Sequence, residues 1–220
     1  MKTILITGTS NGIGRATAEK FLAEGYEVYG IDREENPINH ANFHYFCADL
    51  RDSSQYPELP ELDYIFFNAG LQNCDDDIEN NLKATILASK KYAFRDGVKA
   101  ILFNASASAR NGFEFPEYVA SKAGVVAYMK NLACALAPKG VTVNSISLGG
   151  VLTPSNAPVM DDQESWNKIM AVTPLKKWMT LEEVADWAFF LLTVNRSMSG
   201  QDLLIDNGEN DLNNTFVWPN

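Results

Sequence analysis

In the run Tyr118-Val119-Ala120-Ser121-Lys122, a phenol and an amine stand four residues apart. On a helix, side chains at that spacing leave the same face one turn apart. Tyrosine by itself is a poor acid or base near neutral pH, because its reference pKa is about 10 and proton transfer is fastest when the pKa is near the working pH. A positive charge roughly 4 Å away, at an effective dielectric near 20, contributes about 4 kcal/mol, enough to bring a phenol from about 10 towards 7. The pair therefore has the makings of one proton-transfer device. A packed tyrosine beside a solvated lysine would carry the same letters, so the reading depends on the elements around it.

Those elements begin at the N-terminus. Lys2-Thr3-Ile4-Leu5-Ile6 is a short strand-forming run, followed at once by Thr7-Gly8-Thr9-Ser10-Asn11-Gly12-Ile13-Gly14 and a helical pattern. A strand, a glycine-rich turn and a helix start, in that order, make a dinucleotide site. Gly8 permits the tight turn, Gly12 lets backbone amides approach a pyrophosphate, and Gly14 lets the helix pack closely on the sheet. The helix N-terminus turns the positive end of its dipole to the phosphates. A second apolar run, Tyr26 to Ile31, ends at Asp32, where a carboxylate can bind adenosine ribose hydroxyls and repel a 2′-phosphate. NAD is thus expected in preference to NADP, although the neighbouring Arg33 could pair with a 2′-phosphate.

With Asp49-Leu50, Asn68-Ala69-Gly70, Asn81, a serine near 106 and the Tyr118–Lys122 motif, the chain resembles the short-chain dehydrogenase/reductase family. The resemblance runs from Lys2 to about Gly208, and its Gly-x-x-x-Gly-x-Gly spacing is that of the compact single-domain branch. Segments around Thr173–Trp178, Leu181–Ala185 and Ser199–Asp206 are similar to those of 3-oxoacyl-acyl-carrier-protein reductases.

The resemblance implies an oxidoreductase moving hydride between nicotinamide and a carbonyl or secondary alcohol, a 3-oxoacyl thioester among the candidates. It implies Tyr118 as the acid or base, Lys122 as its partner and a ligand of the nicotinamide ribose, and Asn81 as the helix asparagine of the proton relay. A serine would hold the substrate oxygen. Ser106 and Ser108 both qualify, and Ser106 is preferred because a strand-end hydroxyl is better fixed. Cofactor contacts carried over by motif are Gly8, Ser10, Asn11, Gly12, Ile13 and Gly14 in the turn, with Asp32 and Arg33 after the second strand. Asp49 and Leu50 are placed at the adenine edge, Asn68, Ala69 and Gly70 by the adenosine, and Val151 and Thr153 by the nicotinamide, joining Tyr118 and Lys122. Two departures favour an alternative, a dinucleotide-binding or scaffold protein without turnover. Leu148 stands where the family carries proline, and the interval from Gly70 to Asn81 is about a dozen residues short.

Strand-like runs near 2–7, 26–31, 43–47, 62–67, 98–105, 141–146 and 201–206 alternate with helical patterns near 13–24, 78–95, 117–137, 161–171 and 181–192. This alternation predicts an α/β fold with a doubly wound parallel sheet, a single-domain NAD(P)-binding Rossmann fold over residues 1–220. Its 220 residues, 46% hydrophobic, can bury a substantial core, and no linker-like stretch divides them. The segment from about 153 to 178, with Pro154, Met160, Trp166, Met170 and Trp178, is expected to form a lid over the substrate.

A net charge of −10 without a basic stripe argues against nucleic acid and anionic membranes as partners. There is no transmembrane run, and the first strand begins within three residues of Met1, so a cytoplasmic location is expected. Cys47, Cys74 and Cys134 form no paired motif and read as reduced thiols. His40 and His44 lie in or beside a strand, where ligands do not converge, so no metal is expected. Asp75-Asp76-Asp77 reads as an N-cap for the helix that follows. The helix carrying Tyr118 is apolar nearly all round, which predicts burial on more than one side and, by resemblance, a homodimer or homotetramer acting on a small carbonyl or alcohol substrate.

Overall fold

The computed structural model describes residues 1–72 and 75–212; Cys74 and the last eight residues lie outside them. Short apolar runs form the seven strands: β1 (Thr3–Thr7), β2 (Glu27–Asp32), β3 (Phe43–Cys47), β4 (Tyr64–Phe67), β5 (Ala100–Asn104), β6 (Thr142–Leu148) and β7 (Asp202–Ile205). They make one sheet in the order β3-β2-β1-β4-β5-β6-β7, every pairing parallel. Parallel neighbours need crossovers, and helices supply most of them on both faces, so the central strands are buried on two sides and read as continuous apolar runs instead of alternating ones.

The helices are α1 (Gly12–Ala23), α2 (Ala84–Tyr92), α3 (Ser108–Asn111), α4 (Pro116–Leu136), α5 (Ala157–Met160), α6 (Gln163–Val172) and α7 (Leu181–Thr193), with a π-helical segment, Ile78–Lys83, leading into α2. On one face α1 and α7 bury Phe21, Leu22, Ala188 and Leu191 against Ile4, Ile6, Val28 and Phe66. On the other, α2 and α4 bury Ala88, Tyr92, Val125 and Met129 against Leu5, Ile65, Ile101 and Val143. Local chemistry fixes the ends. Pro116 opens α4 with its fixed φ, and Thr180 with Glu183 closes a reciprocal capping box on α7.

The predicted sheet and its seven strands are present, with boundaries shifted by at most two residues. Within the chain α4 is buried on one side. Ser121, Val125, Met129, Leu132 and Leu136 pack inward, while Ala127, Cys134 and Ala135 face outward; small apolar residues gave the sequence no contrast by which to tell the faces apart. Asp77 is not a cap. It already has helical dihedrals, makes no side-chain cap hydrogen bond and is 2% exposed. Among the described residues no helix is long and apolar enough to cross a membrane.

Candidate active site

In an open parallel sheet the crevice lies beyond the C-terminal strand ends where the connections change direction, here between β1 and β4. A cleft of about 230 Å³ opens there. Its walls include Gly8, Asn11, Gly12, Ile13, Asp32, Arg33, Asp49, Leu50, Asn68, Ala69, Gly70 and Thr153, all of them foreseen from sequence, together with Arg51, Asn104, Pro154 and Ser155, which were not. Ser10, Gly14, Val151, Tyr118 and Lys122, also expected at the cofactor, do not line it. Gly14 underpins it, since a Cβ there would lie 1.9 Å from the Gly8 carbonyl oxygen.

The turn is preorganised. Gly8 has φ +78°, a conformation open to glycine at little cost. The Asn68 Nδ2 group donates to the carbonyls of Thr7 and Gly8 at 3.1 and 3.3 Å, and Thr7 Oγ1 accepts from the amides of Asn68 and Ala69 at 3.0 Å each. β1 and β4 are thereby stapled where they meet the cleft. Asn11, before α1, makes no side-chain cap hydrogen bond, and a Cβ on Gly12 would meet nothing within 4 Å. The helix N-terminus therefore faces open space, as an anion site requires. Asp32 accepts from the amides of Ser10 at 2.9 Å and Glu34 at 3.0 Å, one on each carboxylate oxygen. Asp49 is gripped by the Arg51 guanidinium, which holds its carboxyl below the usual range. These features fit a dinucleotide laid from Asp32 and Asp49 across the α1 N-terminus towards Thr153.

None of the four predicted catalytic residues lines this cleft; they stand next to it on different elements, Lys122 bonded to the lining Asn104 and Asn81 to the lining Leu71. Tyr118 and Lys122 project from α4, Ser106 follows β5, and Asn81 lies in the π segment. Ser106 Oγ accepts from the Ser108 amide at 3.2 Å and the Ser108 hydroxyl at 2.8 Å. Ser108 thus supports Ser106 from a buried position, and Ser106 is the hydroxyl that faces the Tyr118 phenol. Asn81, 1% exposed, pairs with both backbone groups of Leu71, accepting from its amide at 2.7 Å and donating to its carbonyl at 2.8 Å. It also donates to Ser121 Oγ at 3.2 Å, and Ser121 bonds back to the Tyr118 carbonyl at 2.7 Å. One carboxamide thus ties the loop after β4 to the helix turn that carries the phenol.

The electrostatics differ from the sequence expectation. Burial pushes the Tyr118 phenol up to about 12, the facing Ser106 hydroxyl lowers it, and the charges of Glu114 and Asp77 raise it further. Lys122, 4% exposed, is pushed down to about 8 by burial, against the raising influence of Asp77. Its ammonium donates to the Asn104 carbonyl at 3.1 Å and lies 5.7 Å from the centre of the Tyr118 ring. In the free protein the amine is directed at the strand end, and desolvation outweighs any lowering of the phenol.

Sequence reasoning missed Asp77 and Asn104. Asp77 stands four residues before Asn81 on the same helical path, the spacing that brings them together, but three consecutive aspartates masked it. The other polar candidates serve elsewhere. His44 bonds Glu27 at 2.9 Å and stacks on Tyr29, and His40 Nδ1 accepts from the Asn42 amide. Among the described residues no three His, Cys, Asp or Glu side chains gather as a metal site. Cys47 and Cys134 are exposed free thiols. Within the expected lid segment, Trp178 is a floor residue, 8% exposed, its indole within 2.0 Å of where a Cβ on Gly150 would sit.

A sheet of this order, with a phenol, a hydroxyl and an amine gathered beside a glycine-turn cleft, is the architecture of a nucleotide-dependent oxidoreductase. Comparison with known proteins gives the family. The short chain dehydrogenase family matches residues 2–164, and the chain belongs to it. It is similar to the 3-oxoacyl-[acyl-carrier-protein] reductase of Buchnera aphidicola, at 28% identity over 94% of this chain and 96% of that one. It is also similar to (+)-borneol dehydrogenase 1 of Salvia officinalis, at 31% identity over 96% and 95% of the two chains. Among solved structures, a short chain dehydrogenase/reductase oxidoreductase from Burkholderia thailandensis superposes with a TM-score of 0.85 at 28% identity, covering 96% of this chain and 94% of that one. The protein is therefore an oxidoreductase working between CH–OH and C=O groups of a small molecule with a nicotinamide cofactor.

Proposed function

We propose that the protein reduces the carbonyl of a small molecule to a secondary alcohol with NADH, and runs the reverse oxidation with NAD. The observation that supports this reading is the convergence of Tyr118, Ser106 and Lys122, with buried Asn81, beside the glycine-turn cleft, which they adjoin through Asn104 and Leu71. The bound nicotinamide supplies or accepts the hydride. Ser106 already accepts two hydrogen bonds from Ser108, so its own proton is available for the substrate oxygen. Tyr118, with its phenol held protonated by burial, gives a proton to the developing alkoxide, a much stronger base than a phenolate. Lys122 contributes the positive charge beside it and Asn81 fixes the helix turn. The residues suited to the cofactor are the glycine turn for the pyrophosphate, Asp32 for the ribose hydroxyls, and Asp49 with Leu50 for adenine.

Two relatives differ in what their names say they act on, an acyl-carrier thioester and a terpene alcohol, so 3-oxoacyl thioesters are one candidate class among ketones. We take the segment 153–178 as the substrate lid, with Met160, Trp166 and Met170 half-buried in it. The outward small residues of α4 support a homodimer or homotetramer, and exposed thiols at Cys47 and Cys134 suit a cytoplasmic setting.

Following nicotinamide absorbance while purified protein meets NADH or NADPH and a panel of ketones, 3-oxoacyl thioesters included, tests the reading. NADH consumption with one of them is expected; failure of NADH to bind the protein overturns the proposal. Preference for NADH rests on Asp32, fixed by two backbone amides, whose carboxylate would oppose a 2′-phosphate. Asp32→Ala is expected to narrow the NADH:NADPH ratio of kcat/KM by about tenfold, the size of a 1.4 kcal/mol charge term. An unchanged ratio would remove Asp32 from cofactor discrimination.

A further inference from the structure

An ammonium as deeply buried as that of Lys122 is unstable without a counter-charge, because the desolvation of a lone ion exceeds what one neutral acceptor returns. The Asn104 carbonyl supplies such an acceptor and no charge. The aspartate that the sequence placed on a helix cap lies instead in the interior, 2% exposed, where Asn81 Nδ2 donates to its Oδ1 at 3.3 Å. Gly70 locates the rest of the arrangement. A Cβ built there would lie 2.8 Å from Asn81 Oδ1 and 3.1 Å from Lys122 Nζ, so carboxamide and ammonium flank the same point on the backbone. Glycine at position 70 is what lets them approach. The line from carboxylate through carboxamide to ammonium is dry throughout, with Asp77, Asn81 and Lys122 all under 5% exposed.

We propose that Asp77 is the counter-charge of the active-site lysine, a positioning residue that acts through Lys122 by keeping its ammonium charged in a pocket too dry to hold one alone. The inference rests on the proposed function only for the catalytic importance of that charge. Among the described residues, the other ionisable groups about the pair are Tyr118 on α4, neutral at physiological pH, and Glu114 in the loop between α3 and α4, whose carboxylate accepts from Gln72 Nε2 at 3.2 Å and acts on the phenol. Asp77 is the charge that raises the proton affinity of Lys122, against the burial that lowers it.

The test is ¹³C NMR titration of protein labelled at lysine Cε, with the Lys122 signal assigned by its loss in a Lys122→Met variant. Asp77→Asn, which keeps the side-chain shape, is expected to lower the proton affinity of Lys122 by about tenfold, and Asp77→Glu to restore it to within about threefold. A Lys122 midpoint in folded Asp77→Asn that stays within twofold of wild type overturns the proposal. Should Asp77→Asn not fold, the wild type answers through ¹³Cγ-labelled aspartate. The Asp77 carboxyl signal must move as Lys122 titrates near pH 8, and a signal flat through that range is the overturning result. In turnover, the alkaline limb of kcat/KM for carbonyl reduction moves to lower pH in Asp77→Asn, whereas a purely structural defect would lower the profile equally at every pH. A wild type with the expected NMR behaviour and no turnover would defeat the proposed function and leave this pairing intact.

Discussion

Tyr118→Phe is expected to lower turnover by about a thousandfold while leaving NADH affinity within about twofold of wild type. General acid catalysis by a positioned group contributes roughly 10²–10⁴ in rate, and the substitution removes the proton alone. The ring remains on α4 beside Lys122, and Ser106 keeps both bonds from Ser108, so the substrate oxygen still finds a donor. The direction of the pH effect follows from the same burial. With the phenol pushed up to about 12, it is protonated throughout the neutral range, ready to act as an acid and almost never as a base. Carbonyl reduction by the wild type should therefore be broadly flat between pH 6 and 7 and fall as Lys122 loses its proton near 8. Alcohol oxidation should climb with pH as the small phenolate fraction grows, and in Tyr118→Phe that climb should vanish. Stopped-flow absorbance for turnover and fluorescence titration for NADH separate the two effects. Equal losses in both would show that the phenol is structural.

Lys122→Met should be nearly as damaging to turnover and yet make the folded protein more stable. A midpoint near 8 in place of 10.5 means that the buried amine costs the folded state about 3 kcal/mol wherever it is charged in both states. The sign follows from the proton count. Between about pH 8 and 10.5 the unfolded chain holds a proton that the folded chain has released, so stability rises with pH across that window, and below 8 the full cost is present. Methionine fills a similar volume without charge and loses one hydrogen bond to the Asn104 carbonyl, about 1 kcal/mol. Asp77, left without its ammonium, offsets more of the gain. A net increase of about 1 kcal/mol at pH 7, fading towards pH 10, is expected from denaturant melts. A variant that melts lower at pH 7 than at pH 10 relative to wild type would contradict the assignment of Lys122 as a strained, functional charge.

The strands were legible because a parallel sheet buried on both faces writes its strands as unbroken apolar runs, as at Ile4–Ile6 and Ile101–Phe103. The glycine turn was legible because both its spacing and its flanking elements constrain the letters. Less could be read where one residue type serves several ends. Alanine and glycine along α4 do not say which side is inward, and Asp75-Asp76-Asp77 looks like any acidic helix start until burial separates the third aspartate from its neighbours. The lowering of the phenol by Lys122 was inferred from a spacing on one helix. In the folded chain the outcome depends on groups from three other elements, Asn104, Asp77 and Glu114, which no local spacing reveals.

The π segment Ile78–Lys83 has a bearing on how this protein can change. A π turn amounts to one extra residue accommodated in a helix, and such turns cluster where function needs a side chain aimed off the regular path. Removing a single residue there would be an inconspicuous edit in a surface-reaching helix. It would nevertheless return the segment to regular α geometry and re-aim the side chains inside the bulge, Asn81 among them, so that Leu71 would lose its paired carboxamide. For this stretch length is a coordinate of function as much as composition is, so a relative differing by one residue here would differ in its active site even if every letter of the Tyr118–Lys122 motif were kept.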